Sequence, residues 1–239
     1  MDNKESKSNN FRNFYGRLKG KGLRALQQKL LNDQLEKLSI PAVKYEINPD
    51  RKLIELSDLF KNVTSFSLEI GFGGGEHLVY QAERNPNIGF IGCEPYINGV
   101  AMLAGKLSKL ELTNVRIHPG DVRDLFDVLP DDSIDNVFLL YPDPWPKKRH
   151  HRRRFVTSEY LIDLQRVMKT GALLKLATDI PDYVRQSLQE VCKHHFSWTA
   201  TDSRDWRECW SDWMPTRYER KALREGRRPY YLTFEKRES

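Results

Sequence analysis

From residue 66 onward the chain alternates short apolar runs with longer stretches of helical periodicity, and this alternation constrains its fold most. The apolar runs, each predicted to form a strand, are 66–70, 89–94, 115–120, 135–141, 171–179, 196–202 and 230–235. Stretches such as 75–84 and 156–168 have the apolar spacing of amphipathic helices. Apolar strands separated by helices are typical of a parallel sheet covered on both faces. We therefore predict an α/β fold of the Rossmann-like, doubly wound type.

The last two predicted strands are connected in a different way. An irregular stretch with three tryptophans and a basic helical run at 216–226 separate them. Such a connection favours an antiparallel strand at the edge of an otherwise mostly parallel sheet.

The first 45 residues are predicted to form a basic N-terminal arm, followed by one domain over 46–239. Residues 1–10 contain no hydrophobic side chain after the initial methionine and are predicted to be disordered. The leucine spacing over 22–38 predicts an amphipathic helix. Six cations in 12–29 suit either nucleic-acid binding or a solvated, flexible arm.

Composition excludes several classes of protein. There is no apolar run of about 18 residues, as a membrane-spanning helix requires, and the N-terminus lacks the apolar segment of a secretory signal. The three cysteines form no CxxC pair, which fits a reducing compartment. The histidines lack partners at metal-ligand spacing. We therefore predict a cytoplasmic protein that binds neither membrane nor metal.

A glycine-rich loop, GFGGG at 71–75, joins the first predicted strand directly to a helix. Glycine permits positive φ angles and lets a ligand approach the backbone closely, so Gly71 and Gly73 are predicted to contact the ligand. The dinucleotide fingerprint G-x-G-x-x-G is not met, because Glu76 or Leu78 takes the third glycine's place. Glu76 would also repel a pyrophosphate at the helix start. The loop therefore indicates a ligand without phosphates, such as S-adenosylmethionine.

Three carboxylates lie at or just after the ends of three successive predicted strands, namely Glu69, Glu94 and Asp121. Open α/β sheets bind ligands in the crevice at the carboxyl ends of their strands. There Glu69 would accept from the α-ammonium of S-adenosylmethionine, Glu94 from its ribose hydroxyls and Asp121 from its adenine amine. Taken singly, Glu69 also suits a solvated turn, and Glu94 and Asp121 suit helix caps. Their order behind a glycine loop favours the donor site.

The segment after the fourth predicted strand, 141–155, reads YPDPWPKKRHHRRRF and concentrates cations in 147–154. Concentrated like charge indicates a polyanionic partner, and nucleic acid is the usual one. With this run, the glycine loop and the TRYE segment at 216–219, the chain resembles the bacterial tRNA (guanine-N7)-methyltransferase family. The resemblance covers about residues 60–235 in motif order and spacing.

The resemblance implies a class I methyltransferase domain over 46–239. Its activity would be that of a tRNA (guanine(46)-N(7))-methyltransferase, which moves a methyl group from S-adenosylmethionine to a variable-loop guanine. Asp143 would be the catalytic carboxylate and would lie beside the donor. The residues implied to contact the substrate are Lys147, Asp179, Thr216, Arg217, Tyr218 and Glu219. The residues implied to touch RNA are Arg149, His150, His151, Arg152, Arg153 and Arg154.

The chemistry of guanine N7 agrees with these roles. N7 carries an in-plane lone pair, so it needs no deprotonation, and positive charge passes from the sulfonium to the base. A fixed carboxylate such as Asp143 would stabilise that charge by electrostatic preorganisation. Glu219 and Asp179 suit the donors of the Watson–Crick edge, with salt bridges as their alternative. Trp145 suits stacking on a base or packing in the core, and the sequence leaves both open.

Two other functions are weighed against this one. An enzyme that methylates an adenine amine commonly carries a D/N-P-P-aromatic segment, and the order Asp143-Pro144-Trp145-Pro146 argues against it. A non-catalytic RNA-binding protein on a methyltransferase fold would not need the intact glycine loop and carboxylates. The sequence also leaves open whether the protein is a monomer or a homodimer.

Overall fold

The computed structural model describes residues 12–238, so the disorder predicted for residues 1–10 lies outside the described part. Seven strands form one sheet: β1 Ser65–Ile70, β2 Ile88–Cys93, β3 Val115–His118, β4 Ile134–Leu140, β5 Met168–Thr178, β6 Phe196–Trp198 and β7 Tyr230–Lys236. Their order across the sheet is β3-β2-β1-β4-β5-β7-β6, and the first five in this order run parallel.

Helices connect these strands. They are α1 Ala25–Leu38, α2 Leu56–Leu59, α3 Glu76–Arg84, α4 Ile97–Leu107, α5 Val122–Phe126, α6 Ser158–Val167, α7 Pro181–Val191, α8 Arg204–Arg207 and α9 Arg217–Arg224, with a 3-10 helix at Lys148–Arg153. Among the helices of residues 12–238, none has the length and apolar character needed to cross a membrane.

Two apolar layers hold the helices to the sheet. Leu78 of α3 and Leu103 of α4 pack on one face together with Leu31 of α1. Leu161 of α6 and Tyr183 of α7 pack on the other. Each such fully buried side chain contributes about 1.5–3 kcal/mol relative to exposure. Helices on both faces of a mostly parallel sheet confirm the predicted Rossmann-like, doubly wound α/β fold.

The C-terminal edge of the sheet carries the predicted antiparallel strand. β7 lies between β5 and β6 and runs antiparallel to both, which leaves β6 outermost. The aromatic side chains of Trp213 and Tyr231 pack over this part of the sheet.

The division of the chain at residue 45 stays a prediction. Helix α1 lies before that boundary, and yet it buries Leu31 and Leu38 in the core and packs against α4. A backbone bridge from Ser39 to Ile117 continues this attachment to β3. The second half of the predicted arm therefore packs on the fold rather than extending from it.

Candidate active site

A cavity of about 540 Å³ opens at the carboxyl ends of β1 to β4. Its wall includes one residue from the loop after each strand, namely Gly71, Glu94, Asp121 and Asp143. The sheet changes winding direction at β1, whose neighbours are β2 and β4. Ligands bind open α/β sheets at such a switch point, so this cavity is the candidate active site.

Of the two glycines predicted to contact the ligand, Gly71 lies on the cavity wall, whereas Gly73 lies against Arg217 and Tyr218 and is not part of the wall. Gly71 has a φ of +74° and Gly73 a φ of +56°, a conformation that favours glycine. Within residues 12–238, apart from Gly71 and its two neighbours in the chain, no heavy atom lies within 4 Å of the point where a Cβ of Gly71 would stand. The backbone at Gly71 therefore leaves space that a ligand can enter.

Glu94 ties the glycine loop to the segment after β2. Its Oε2 accepts from the Gly73 amide at 2.6 Å, and its Oε1 accepts from the Tyr96 amide at 2.8 Å. Burial raises the pKa of its carboxyl, an effect that the two amides oppose and the charge of Asp143 reinforces. Glu94 is therefore oriented by the backbone, and each of its oxygens keeps a second lone pair that can accept a further hydrogen bond.

Asp121 combines the two roles considered for it. It caps α5 by accepting from the Arg123 amide at 2.9 Å, and its Oδ2 accepts from Nη2 of Arg123 at 2.6 Å. It also lines the cavity. The cap holds the carboxylate in a fixed position on the cavity wall.

Glu69 is buried, and the cavity wall reaches its neighbour Ile70 without including Glu69 itself. A hydrogen bond of 2.7 Å joins its Oε2 to Nδ1 of His77, whose ring packs against Phe138 and Trp213. One oxygen of this carboxylate therefore has a hydrogen-bond partner inside the protein, and the alternative of a solvated turn residue is wrong.

Asp143 lies on the cavity wall between two prolines. The flanking residues Tyr141 and Trp145 have φ angles of +51° and +41°, in the left-handed region that bulky side chains rarely adopt. Nε of the buried Arg154 donates to the Pro144 carbonyl at 2.8 Å and holds this backbone in place. The Asp143 side chain is exposed to the cavity, and partial desolvation by the neighbouring protein raises the pKa of its carboxyl.

Trp145 lies on the cavity wall and outside the buried hydrophobic clusters. The guanidinium of Arg153 lies 5.0 Å from its ring centroid, and the His150 ring meets it edge-on at 5.9 Å. Of the two roles that the sequence left open, packing in the core is therefore wrong.

The basic run folds mainly as the 3-10 helix, with Lys147 just before it and Arg154 just after it. Lys147, Arg149 and Arg152 are exposed, and none of them has a carboxylate partner within residues 12–238. His150 and His151 are half-buried beside them, and Nε2 of His151 lies 3.4 Å from Asp182. This helix therefore presents unpaired positive charge to solvent.

Arg154 is a correction to the predicted RNA contacts. Its side chain is 1% exposed. Besides its bond to Pro144, it donates to Gln186 Oε1 at 2.8 Å and to Asp182 Oδ2 at 2.8 Å. A guanidinium with these partners is shielded from solvent, so it supports the segment around Asp143 and does not face RNA.

The TRYE segment divides between the cavity and the interior. Arg217 and Tyr218 line the cavity. Thr216 instead caps α9, with its hydroxyl accepting from the Glu219 amide at 3.2 Å. Glu219 is buried, and its two oxygens accept from Trp213 Nε1 and the Tyr231 hydroxyl, each at 2.7 Å. Only Arg217 and Tyr218 are placed to touch a bound molecule.

The expected acceptors for the Watson–Crick edge are therefore corrected as well. Glu219 has both oxygens occupied inside the protein, and Asp179 forms an ion pair with Arg227. Neither lies on the cavity wall. Asp179 therefore forms the salt bridge that was its alternative role. Glu219 has neither of the two roles considered for it, because neutral donors inside the protein occupy both of its oxygens.

The cavity has further wall residues that the sequence did not indicate. Phe14, Tyr15 and Arg17 of the N-terminal arm line it, as do Tyr96 and Tyr141. The pattern FYGR at 14–17 places two aromatic rings in a basic stretch, which is the one signal that marks a contact region.

Among residues 12–238 no cluster of three or more His, Cys, Asp or Glu side chains suits a metal ion.

Known proteins are similar to this chain over most of its length. The family described as "Putative methyltransferase" matches residues 64–232. The tRNA (guanine-N(7)-)-methyltransferase of Roseobacter denitrificans is 62% identical over 93% of this chain and 95% of its own. That of Ruegeria pomeroyi is 61% identical over 95% of each chain.

The fold has matches among solved structures. An antibiotic-related methyltransferase superposes with a TM-score of 0.54 and 16% identity, over 77% of this chain and 96% of the other. That likeness shows the class I methyltransferase fold. Because identity above 60% extends over nearly the whole length of curated relatives, the chain belongs to the tRNA (guanine-N(7)-)-methyltransferase family.

Proposed function

We propose that this protein transfers the methyl group of S-adenosylmethionine to N7 of a guanosine in tRNA, guanine 46 of the variable loop. The observation that carries the proposal is a cavity lined by Gly71 of the glycine loop and by the carboxylates of Glu94, Asp121 and Asp143, with the basic 3-10 helix beside it contributing Arg153 to its wall. The first two suit a cationic nucleoside ligand, and the third suits RNA.

The residues present fit S-adenosylmethionine. Glu94 would accept from the ribose hydroxyls and Asp121 from the adenine amine, while Gly71 leaves space for the ligand beside the backbone. Of the two carboxylate oxygens of Glu69, Oε2 is hydrogen-bonded to His77. No donor within residues 12–238 reaches Oε1, so Oε1 remains for the α-ammonium. Three carboxylates on the wall also favour a ligand that carries positive charge.

Asp143 would act on the charge that moves during the reaction. The bound donor supplies an electrophilic methyl group on a sulfonium. Guanine N7 offers its lone pair without losing a proton, so the protein needs no general base. Asp143, held between Tyr141 and Trp145 by the rigid backbone, would stabilise the positive charge that the base acquires. Trp145 would stack on that base, because its ring lies on the cavity wall.

The positive surface beside the cavity would bind the tRNA backbone. Lys147, Arg149 and Arg152 are exposed cations without carboxylate partners in the described chain. Arg217 and Tyr218, which line the cavity and lie against Gly73, would contact the substrate. A tRNA-modifying activity of this kind would be cytoplasmic.

The direct test is methylation of an unmodified tRNA transcript with isotope-labelled donor, followed by digestion to nucleosides. We expect the label in 7-methylguanosine. A transcript with adenine in place of guanine 46 should accept none. Label in another nucleoside would contradict the proposed chemistry, and undiminished label in the adenine transcript would contradict the proposed position.

The exposed arginines of the basic 3-10 helix are expected to bind phosphates of the tRNA. Replacing Arg149 and Arg152 by alanine should weaken tRNA binding and lower the slope of log K against log salt by about 0.9 for each phosphate that the variant no longer neutralises. Both side chains are exposed and unpaired in the described chain, so the free energy of unfolding should change by only about 0.5 kcal/mol or less. The measurement is a salt series of binding titrations.

Arg154→Ala is the matched control because it lies in the same basic run. Its loss leaves the Pro144 carbonyl and Gln186 without a buried donor, and we expect it to lower the free energy of unfolding by roughly 2–4 kcal/mol. The salt slope of the folded variant should not change. The assignment of exposed and interior arginines is wrong if Arg154→Ala alters the salt slope and Arg149→Ala with Arg152→Ala does not.

A further inference from the structure

Residues 12–21, here called the N-terminal strap, are fastened to the fold at both ends. At the first end, Nη1 and Nη2 of Arg12 donate to the two carboxylate oxygens of Asp127, each at 2.8 Å. Nη2 of Arg123 donates to the Asn13 carbonyl at 3.1 Å. Arg123 is the residue that also binds Asp121, so this end of the strap is fixed beside a carboxylate of the cavity wall.

The second end of the strap is fastened to the start of α4. The Ile97 amide donates to the Leu18 carbonyl at 3.1 Å. Oδ1 of Asn98 accepts from the Gly20 amide at 2.9 Å, and its Nδ2 donates to the Lys21 carbonyl at 2.7 Å. A Cβ on Gly20 would collide with the Tyr96 hydroxyl, so the strap lies directly against a ring that lines the cavity.

Between these anchors the strap forms part of the cavity wall. Phe14, Tyr15 and Arg17 all line the cavity. The guanidinium of Arg153 lies 4.8 Å from the Tyr15 ring centroid and 5.0 Å from that of Trp145, so it is placed between the strap and the segment that carries Asp143. These two cation–π contacts join the strap to that segment through one guanidinium.

The anchors also show which part of the cavity the strap covers. It runs from α5, which Asp121 caps, to α4, which begins just after Glu94 and Tyr96. These are the carboxyl ends of β3 and β2, where the proposed function puts the adenosine of the donor. The strap is thus on the solvent side of the nucleoside half of the site.

We infer that the N-terminal strap is an outer wall of the donor site, which slows departure of the bound nucleoside and in which Tyr15 is a positioning residue. This inference rests on the proposed function for the identity of the ligand. A wall held by hydrogen bonds at both ends keeps its residues in contact with the bound ligand, and these contacts have not yet formed while the ligand approaches. Weakening an anchor should therefore raise the dissociation rate more than it changes the association rate.

The test uses the full chain and S-adenosylhomocysteine as the probe, with binding followed by stopped-flow tryptophan fluorescence. Asn98→Ala removes two anchoring hydrogen bonds, and Asn98 itself is not one of the residues that line the cavity. We expect the dissociation rate to rise roughly 5- to 20-fold. Asn32→Ala is the matched control, because Asn32 is an exposed asparagine of α1 that accepts only from Gln28.

Tyr15 is tested separately with two substitutions. Tyr15→Ala removes the ring that meets Arg153 and should raise the dissociation rate several-fold. Tyr15→Phe keeps the ring and should behave like the unaltered protein. Tyr45→Ala, at a 56% exposed tyrosine outside the cavity, controls for the loss of a surface aromatic. Thermal unfolding of each variant shows that the fold is kept.

The outcomes separate the strap from the proposed function. If the unaltered chain binds the probe and Asn98→Ala and Tyr15→Ala release it at the same rate, the strap inference is wrong and the donor site remains. If Tyr15→Phe raises the dissociation rate as much as Tyr15→Ala does, the proposed role of the ring is wrong. If the unaltered chain does not bind the probe at all, the donor site and the strap's role in it are both wrong.

Discussion

Replacing Asp143 by asparagine is expected to slow methyl transfer about 10²–10³-fold, as removal of one preorganised electrostatic partner does. Asparagine keeps the shape of the side chain and one acceptor oxygen but loses the charge. The fold and tRNA binding should be nearly unchanged, because Asp143 lies on the cavity wall and forms no salt bridge in residues 12–238. The measurement is single-turnover methylation of tRNA with the donor saturating.

The pH dependence of the same reaction separates charge stabilisation from base catalysis. Burial raises the pKa of Asp143 above the ordinary aspartate value of about 3.9. Asp143 is ionised at pH values well above that raised pKa. The methylation rate of the wild-type protein should therefore fall as the pH decreases through this pKa. Asp143→Asn should lack this step.

The methylation rate of Asp143→Asn at high pH shows whether the electrostatic role of Asp143 is wrong. Because N7 needs no deprotonation, the slow rate of Asp143→Asn should not recover when hydroxide is abundant. A steep rise with pH would point to base catalysis and to a target that must lose a proton. A near-normal rate would refute the electrostatic role. Asp33→Asn, at an exposed aspartate of α1, should behave like the unaltered protein in the whole series.

Glu94→Gln is expected to weaken S-adenosylhomocysteine binding by on the order of 1.5–3 kcal/mol, because the ribose hydroxyls would no longer donate to a charged acceptor. The structure adds a second reason for this weakening. Both Glu94 oxygens accept from amides, so the NH₂ group of glutamine would face the amide of either Gly73 or Tyr96. Calorimetric titration gives the affinity. Glu36→Gln on the exposed side of α1 is the control, and equal affinities would remove Glu94 from the site.

The positions of the strands along the chain were predictable because they depend on local patterns. Runs such as 66–70 and 135–141 are short and mostly apolar, which is typical of strands in a parallel sheet covered on both faces. They correspond to β1 and β4 with shifts of one residue. The glycine loop and Asp121 were predictable for a similar reason, since the carboxyl ends of parallel strands meet at one edge.

The roles of individual polar side chains were less predictable. Arg152 and Arg154 are two residues apart in one basic run, and only Arg154 turns inward to Gln186 and Asp182. Glu219 has the chemistry of a base-reading acceptor, but Trp213 and Tyr231 occupy its oxygens. These partners come from other elements, so composition and spacing do not reveal them.

The amino-acid sequence alone was sufficient for the order of strands and helices, the glycine loop and the family, because each depends on residues near one another in the chain. Which charges remain free, and the wall made by the N-terminal strap, follow from contacts between distant residues. Arg12 meets Asp127 across 115 positions, and Gly20 meets Asn98 across 78. A hydrogen bond needs its two partners within about 3 Å and well aligned. Only the packing of α4 and α5 on the sheet brings these pairs within that distance.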